Sequence, residues 1–305
     1  MISQAELEEF FEGLVARVQS MGGHCAITSG MACVQYGVAQ STKDCDILCS
    51  KATLTKLFQV LSNTEFLCAK CSYRGHLTAP IDQRWLRGGW TAHVQWKSPG
   101  RDAHLDIFSV APRATTQWES EMRGLLAGMH TVAELKRTDR AKDWPLADNL
   151  GVKLIEAADL RGWLHIHDSD PLRAIKARVP IPREIIELRP VLQLLVDDDP
   201  RLKSAVFAEI VFWQQLDRRR LEIHDTAVRP YFGAVKKDVR PAVDLAEQHA
   251  IRVSHAEALL PKCPILEYGI DRLISDARRA TAEFVIATAL EWLPDATRNF
   301  AGLEQ

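Results

Sequence analysis

All segments of this chain that predict β-strands lie in its first 110 residues, and this restricts the folds that it can adopt. Alternating apolar and polar residues, bounded by turn-forming residues, predict strands over 24–28, 44–49, 91–96 and 103–110. Helical spacing predicts helices between them, and the first opens at Ser3, which has capping-box spacing to Glu6. After Arg161 the apolar spacing is helical throughout and prolines separate the helices.

The pattern therefore predicts an α/β (α+β) fold, in which a mixed sheet flanked by helices is followed by a mainly α-helical C-terminal domain. A chain of 305 residues is long enough for two domains. We place the boundary at residue 160, which gives a first domain over 1–160 and a helical domain over 161–305.

Helical periodicity also predicts individual helices near and beyond this boundary. Helices over 129–160 complete the first domain, and a second capping box is expected where Thr131 precedes Glu134 by three residues. In the helical domain, the clearest periodicity covers 202–221 and 270–292. We expect these C-terminal helices to bind an acceptor or a partner.

Composition excludes several classes of protein. The net charge of −2 gives no overall field that would attract nucleic acid, and no apolar run approaches the roughly 20 residues that span a bilayer. The acidic, amphipathic N-terminus does not resemble a signal peptide. Seven scattered cysteines, including a lone Cys68-x-x-Cys71 with no second pair, favour reduced thiols without zinc. We expect a cytoplasmic protein with no membrane partner.

Two aspartates on one predicted strand indicate the chemistry. Asp44 and Asp46 are two residues apart, so both carboxylates project from the same face. Like charges this close repel unless a cation lies between them, and Mg²⁺ prefers such oxygen ligands. A third aspartate, Asp106, lies in the predicted strand 103–110, where it would be near the first two if the strands are neighbours. The three carboxylates predict a metal site.

A small-residue turn precedes this strand. Ser29 and Gly30 end the strand 24–28 and open a helix, where a hydroxyl and backbone N–H groups can hold a phosphate. Glycine lets the backbone approach a ligand closely. The same two residues also suit an ordinary helix cap.

In order and spacing, these elements resemble the nucleotidyltransferase superfamily, which has the polymerase-beta-like fold. Within it the chain is similar to the small bacterial branch of abortive-infection toxins and antibiotic nucleotidyltransferases. The resemblance covers residues 20 to 150 and departs from the usual pattern at Ser29, commonly glycine, and at Gln40, commonly arginine. The matching residues are Ser29, Gly30, Tyr36, Gly37, Thr42, Asp44, Asp46 and Asp106.

The resemblance implies a nucleotidyltransferase-like first domain that moves a nucleoside monophosphate from a nucleoside triphosphate to a hydroxyl acceptor. Asp44, Asp46 and Asp106 would be catalytic and would hold two Mg²⁺ ions, with Mn²⁺ as an alternative, and Asp106 is also a candidate general base. The acceptor would be RNA, protein or a small molecule, and an antitoxin-like partner is implied. The implied nucleotide-binding residues are Ser29, Gly30, Thr42, Lys43, Lys136 and Asp143.

Within the segment 135–144, the resemblance implies that Lys136 contacts phosphate and that Lys142 and Asp143 close the pocket. Asp143 suits a helix N-cap equally well, because Pro145 follows in the first turn. A non-catalytic nucleotide-binding or interaction protein on the same fold is the alternative function.

Three other groups of residues carry alternatives. The arginines at 218–220 suit either RNA phosphate or a solvated helix face. Trp85, Trp90 and Trp96 suit either stacking on an acceptor or the core. The segment 165–168, with two histidines, is predicted to be a polar turn.

Overall fold

The computed structural model describes residues 2–75, 77–239 and 244–303. The strands are β1 (Cys25–Thr28), β2 (Asp44–Cys49), β3 (Glu65–Phe66), β4 (Ala69–Tyr73), β5 (Thr91–Ser98) and β6 (Arg101–Phe108). The first six helices are α1 (Gln4–Ser20), α2 (Ser29–Gln35), α3 (Leu54–Ser62), α4 (Gln83–Leu86), α5 (Met129–Leu135) and α6 (Trp144–Glu156). The others are α7 (Ser169–Lys176), α8 (Arg183–Leu188), α9 (Val191–Val196), α10 (Leu202–Asp238), α11 (Leu245–Leu259), α12 (Pro264–Tyr268) and α13 (Ile270–Ala282).

The strands form one mixed sheet in the order β1-β2-β6-β5-β4-β3. Strands β2 and β6 run parallel, whereas the other neighbours are antiparallel. The mixed α/β class predicted from the sequence is thus confirmed. The parallel pair matters for function because it places the strand with Asp44 and Asp46 directly beside the strand with Asp106.

Helix α1 forms as its sequence predicts. The Ser3 hydroxyl accepts from the backbone N–H of Glu6 at 3.2 Å, and the Glu6 carboxylate accepts from the Ser3 N–H at 2.8 Å. This capping box satisfies backbone donors that the first helical turn leaves without intrahelical partners. The buried face of the helix joins the sheet core and comprises Leu7, Phe11, Leu14, Val15 and Val18.

The second capping box, predicted at Thr131 and Glu134, does not form. Helix α5 begins at Met129 with Gly128 as its N-cap, so Thr131 lies inside the helix and is fully buried. Glu134 instead accepts from Thr115 at 2.6 Å and from Arg137 at 3.1 Å. Local spacing predicted the box, but the N-cap lies three residues earlier than that spacing required.

The hairpin of β3 and β4 was not predicted. Its strands are short, and its turn places Leu67 and Cys68 at φ values of 56° and 59°, a region that glycine favours. No glycine marks the turn, so the sequence carries no hairpin signal. Cys68 is exposed in this turn, whereas Cys71 is buried in β4.

Beyond residue 160, regular structure in the described ranges is helical. Of the segment 270–292 with predicted helical periodicity, the α-helix α13 ends at Ala282, and a 3-10 helix over Ala287–Trp292 forms most of the remainder. None of the described helices combines the length and the apolar character needed to cross a bilayer.

Helix α10 connects the two halves of the chain. Its first residues pack in a core made by the C-terminal helices, whereas Val228, Tyr231 and Val235 join the sheet core. Arg252 of α11 is also fully buried there and donates to the carbonyls of Gly75 and Thr78. The division at residue 160 stays a prediction, and the sheet core contains residues from both sides of it.

Candidate functional site

A cleft of about 790 Å³ opens beside β2 and β6. The nine predicted site residues come from five separate segments of the chain, and all of them line this cleft. They are Ser29, Gly30, Thr42, Lys43, Asp44, Asp46, Asp106, Lys136 and Asp143.

The centre of the cleft is a pair of carboxylates. Asp46 of β2 and Asp106 of β6 are direct register partners on the parallel strands. Burial, and next the negative charge of Asp106, raise the pKa of Asp46 to about 6. The Ser29 hydroxyl and the Lys136 charge oppose this rise. Asp46 therefore lies where one more positive charge would be strongly favourable.

Asp106 differs from Asp46 because a guanidinium group and an imidazole ring already contact it. Arg74 donates to Asp106 Oδ1 at 2.5 Å, and His93 Nδ1 lies 2.8 Å from the same oxygen. Burial is the largest influence on Asp106 and raises its pKa, but His93 and Arg74 together outweigh burial and hold the pKa below its ordinary value. Both of these side chains contact Oδ1 of Asp106. The lowered pKa makes Asp106 a weaker base than an ordinary carboxylate, and its general-base role stays a prediction.

Asp44 lies at the exposed entrance of the cleft. His104, its register partner on β6, places Nδ1 2.9 Å from Asp44 Oδ1. The sequence analysis missed His93 and His104, although both occupy the same face of the sheet as the aspartates. Alternation along β5 and β6 would have placed them there had the strand register been known.

The carboxylates fit one arrangement of Mg²⁺ better than another. Within residues 2–75, 77–239 and 244–303, no three His, Cys, Asp or Glu side chains are grouped so that they could hold a metal ion by themselves. Mg²⁺ needs no such group, because proteins usually bind it through one or two carboxylates together with substrate phosphates and water. Asp44 and Asp46 fit that arrangement, whereas Oδ1 of Asp106 already has a guanidinium partner.

The turn between β1 and α2 holds the Ser29 hydroxyl inside the cleft. Ser29 has a φ of 53°, where a residue with a Cβ is strained. Its hydroxyl accepts from Lys136 Nζ at 3.2 Å and hydrogen-bonds to Asp46. The departure from glycine at this position therefore supplies a polar link between a cation and a carboxylate.

Gly30 is required by a close approach. A Cβ at this position would lie 2.6 Å from Thr42 Oγ1. Thr42 is itself fixed, since its N–H donates to Gln4 Oε1 at 3.0 Å and its hydroxyl donates to the Asp44 carbonyl at 3.1 Å. The small residue thus allows Thr42 to hold the backbone at the start of β2.

The opposite wall of the cleft is a buried ion cluster around Asp143. Its carboxylate accepts from Thr138 at 2.7 Å and from Arg140 Nε at 2.8 Å, and Lys136 Nζ lies 3.5 Å away. Asp143 occupies the N-cap position of α6, but its side chain makes no cap hydrogen bond to that helix and contacts the ion cluster instead. Lys136 and Asp143 are both buried, and Lys136 is not the solvated helix residue that a lysine usually is.

The C-terminal half also contributes to the cleft, which the sequence analysis did not predict. Asp217 and Arg220 of α10 line the cleft together with Arg113, which follows β6. The Asp217 carboxylate accepts from Arg113, from Arg220 Nη2 at 2.9 Å and from the backbone N–H of Asp139 at 3.1 Å. The available sequence signal was an aspartate directly after an apolar residue, Leu216, in a helical segment. Asp217 is buried, and charged residues are rarely buried without a partner.

The three arginines of α10 separate. Arg218 is exposed, and Arg219 is paired with Glu222 at 2.8 Å. Of these three, Arg220 is the one that lines the cleft. The run is therefore neither one solvated face nor one continuous basic patch.

The structure also bears on the predictions for the three tryptophans and for the segment 165–168. Trp85, Trp90 and Trp96 are buried and each donates its ring N–H to a backbone carbonyl, so they belong to the core and not to a stacking surface. The segment 165–168 connects a 3-10 helix that ends at Leu164 to α7, as the predicted turn requires. Its two histidines are buried, and His165 Nε2 lies 2.8 Å from His130 Nδ1.

No family model, no curated protein and no solved structure matches this chain. The likeness to nucleotidyltransferases therefore rests on the motif residues and on the cleft that they line.

Proposed function

We propose that this protein is a Mg²⁺-dependent nucleotidyltransferase, which moves a nucleoside monophosphate from a nucleoside triphosphate to a hydroxyl acceptor, and that its mixed sheet is the catalytic sheet of that superfamily. The observation that carries the proposal is the in-register pair of Asp46 and Asp106 on parallel strands, with Asp44 on the same face of the same cleft. Ser29 and Lys136 line that cleft as well, as the resemblance implies.

Triphosphate binding follows from the cations around the carboxylates. Lys136 is buried, donates a long hydrogen bond of 3.2 Å to Ser29, and lies 3.5 Å from Asp143 in an ion pair. A phosphate oxygen would be a stronger, charge-assisted acceptor for Nζ. Lys43, Arg140 and Lys142 also line the cleft and add positive charge at its entrance.

The transfer itself requires in-line geometry. The acceptor oxygen forms a bond to the α-phosphorus while the bond to the α–β bridging oxygen breaks and pyrophosphate leaves. Asp44 and Asp46 would hold Mg²⁺, which when bound supplies charge neutralisation on the α-phosphate and the leaving group. The acceptor proton passes to Asp106, the carboxylate that this arrangement does not assign to Mg²⁺.

One observation favours the alternative, a nucleotide-binding protein without turnover. Arg74 already neutralises Asp106 and His93 contacts the same oxygen, which reduces the negative charge available to the metal ions. In an enzyme, this contact orients Asp106 and leaves Oδ2 for the reaction. In a binding protein, the same contact occupies Asp106, so that Asp106 takes no part in binding metal.

Incubation with each α-³²P-labelled nucleoside triphosphate, Mg²⁺ and a cell extract tests the proposal. We expect transfer of label to an acceptor by the wild type and its loss in Asp46→Asn. Asp102→Asn is the matched control, because Asp102 is an exposed aspartate of β6 that does not line the cleft. Mg²⁺-dependent nucleotide binding without any transfer would establish the alternative. Nucleotide affinity that is unchanged by a chelator would refute both functions.

A further inference from the structure

Two arginines from distant parts of the chain meet in the cleft. Arg113 follows β6 and Arg220 lies on α10, and both donate to Asp217 Oδ1. The group of Arg113, Asp217 and Arg220 carries a formal charge of +1, since two guanidinium groups share one carboxylate. The C-terminal half supplies Asp217, Arg220 and Leu221 to the lining of the cleft, and Arg113 comes from the first half.

The arginine pair retains hydrogen-bonding capacity. Arg113 is only 6% exposed, and its Nε has no hydrogen-bond partner among the described residues, although its two other nitrogens donate to Asp217 and to the Leu135 carbonyl. Arg220 uses Nε and Nη2 on Asp217 at 3.1 Å and 2.9 Å. A buried donor without an acceptor is uncommon, and an anionic ligand in the cleft would supply one.

The pair is fixed to the segment that carries the lysine of the nucleotide site. Arg113 donates to the Leu135 carbonyl at 2.8 Å, and Asp217 accepts from the Asp139 N–H at 3.1 Å. Lys136 lies between these two attachment points. The arginine pair and Lys136 are therefore held by one short segment, and both line the same cleft.

We propose that Arg113 and Arg220 form a second phosphate-binding subsite of the cleft. Guanidinium groups form charge-assisted hydrogen bonds with phosphate oxygens, and Asp217 fixes the position of both arginines. The phosphate belongs either to the tail of the nucleoside triphosphate or to the acceptor. This inference rests on the proposed function, and it assigns the C-terminal half a direct part in binding substrate.

Arg220→Gln is the informative variant, because Arg113 still pairs with Asp217 after the change and no buried carboxylate loses all its partners. Arg218→Gln is the matched control, an exposed arginine two residues away on the same helix that does not line the cleft. Arg220→Lys retains the charge without the planar donor pair and should restore binding only in part.

Calorimetry with two probes distinguishes the sources of the phosphate. If it is the tail of the nucleotide, Arg220→Gln weakens MgATP binding by roughly tenfold and leaves AMP binding unchanged. If it belongs to the acceptor, MgATP affinity stays within about twofold, while the protein saturated with a non-hydrolysable ATP analogue binds inorganic phosphate only when Arg220 is present. Equal behaviour of Arg220→Gln and Arg218→Gln with both probes overturns the subsite.

Failure of the proposed function gives a different pattern. If the protein is not a Mg²⁺-dependent nucleotide enzyme, wild-type affinity for ATP does not respond to Mg²⁺, and Asp46→Asn binds ATP as the wild type does. Inorganic phosphate, titrated without metal or nucleotide, still compares Arg220→Gln with Arg218→Gln in that case. A difference between these two variants supports the subsite independently of catalysis.

Discussion

Asp46 and Asp106 lie opposite each other on parallel strands, but they differ in their protein partners. Arg74 and His93 hold Asp106 in its charged form, whereas burial and the charge of Asp106 oppose the charge of Asp46. Changes at the two positions should therefore affect the stability of the protein in opposite directions.

Asp46→Asn should stabilise the metal-free protein at neutral pH. The pKa of Asp46 is about 6 in the folded state and 3.8 without perturbation, so the folded state binds this proton more tightly than the unfolded state. The stabilisation of the folded wild type by this proton is complete below the unperturbed pKa of 3.8, and it is lost as the pH rises through 6. Above pH 7 we expect the free energy of unfolding of Asp46→Asn to exceed that of the wild type by on the order of 1–3 kcal/mol. Near pH 4 we expect the two free energies to be equal.

Urea unfolding of both proteins between pH 4 and pH 8, with a chelator present, measures this difference. A difference that does not change with pH contradicts the argument. Label transfer by the same variant should be lost at every pH, because the residues of one catalytic unit cannot replace each other.

Asp106→Asn should destabilise the protein. The change leaves Arg74 and His93 beside a neutral amide, and partners of a half-buried ion pair that are left unmatched typically cost about 1–3 kcal/mol. Thermal unfolding checks this, with Asp102→Asn as the exposed control on the same strand. A melting temperature of Asp106→Asn at or above that of the wild type would show that the contacts with Arg74 and His93 add no stability.

Lys136→Ala should weaken nucleotide binding without unfolding the protein. Asp143 keeps its hydrogen bonds from Thr138 and Arg140 after the change, so the buried carboxylate is still paired. Loss of one charge-assisted contact to phosphate predicts a rise of roughly tenfold in the dissociation constant for MgATP. Lys97→Ala, an exposed lysine of β5, is the control. Unchanged affinity in Lys136→Ala would restrict Lys136 to a structural role.

Ser29→Gly should raise the free energy of unfolding and lower the affinity for nucleotide. Glycine adopts a φ of 53° without the steric cost that serine carries, so we expect a gain of about 1 kcal/mol in the free energy of unfolding. The same change removes the hydroxyl that links Lys136 to Asp46, so nucleotide affinity should fall. Chemical denaturation and calorimetry on one preparation measure both quantities. Lower stability together with full affinity would refute the strain at Ser29 as well as the function of its hydroxyl.

The sequence predicted the features of the site that depend on local pattern. Asp44 and Asp46 lie on β2 because alternation along a strand is a local property, and the turn at Ser29 follows from its small residues. The placement of Asp106 beside them required only that β2 and β6 be neighbours. All three expectations used spacing over a few residues and one assumption about strand pairing.

Features that depend on tertiary packing were not predictable in this way. Arg113 and Asp217 are 104 residues apart, and no periodicity in either segment indicates that they meet. The contact of Arg74 with Asp106 requires the register of β4, β5 and β6 together. Asp143 was ambiguous because Pro145 suits a helix start whether or not the aspartate caps it. Burial and tertiary partners decided each of these cases.

Helix α10 has a consequence for how the protein unfolds. Over its length it contributes Leu202 to one core, Phe212 to a second, and Tyr231 to the core under the sheet. A fragment ending at residue 160 would leave the sheet without Val228, Tyr231 and Val235, and would expose apolar surface that this helix now covers. We therefore expect the half with the sheet and the helical half to unfold in one cooperative transition, because melting of either half removes part of the other's core.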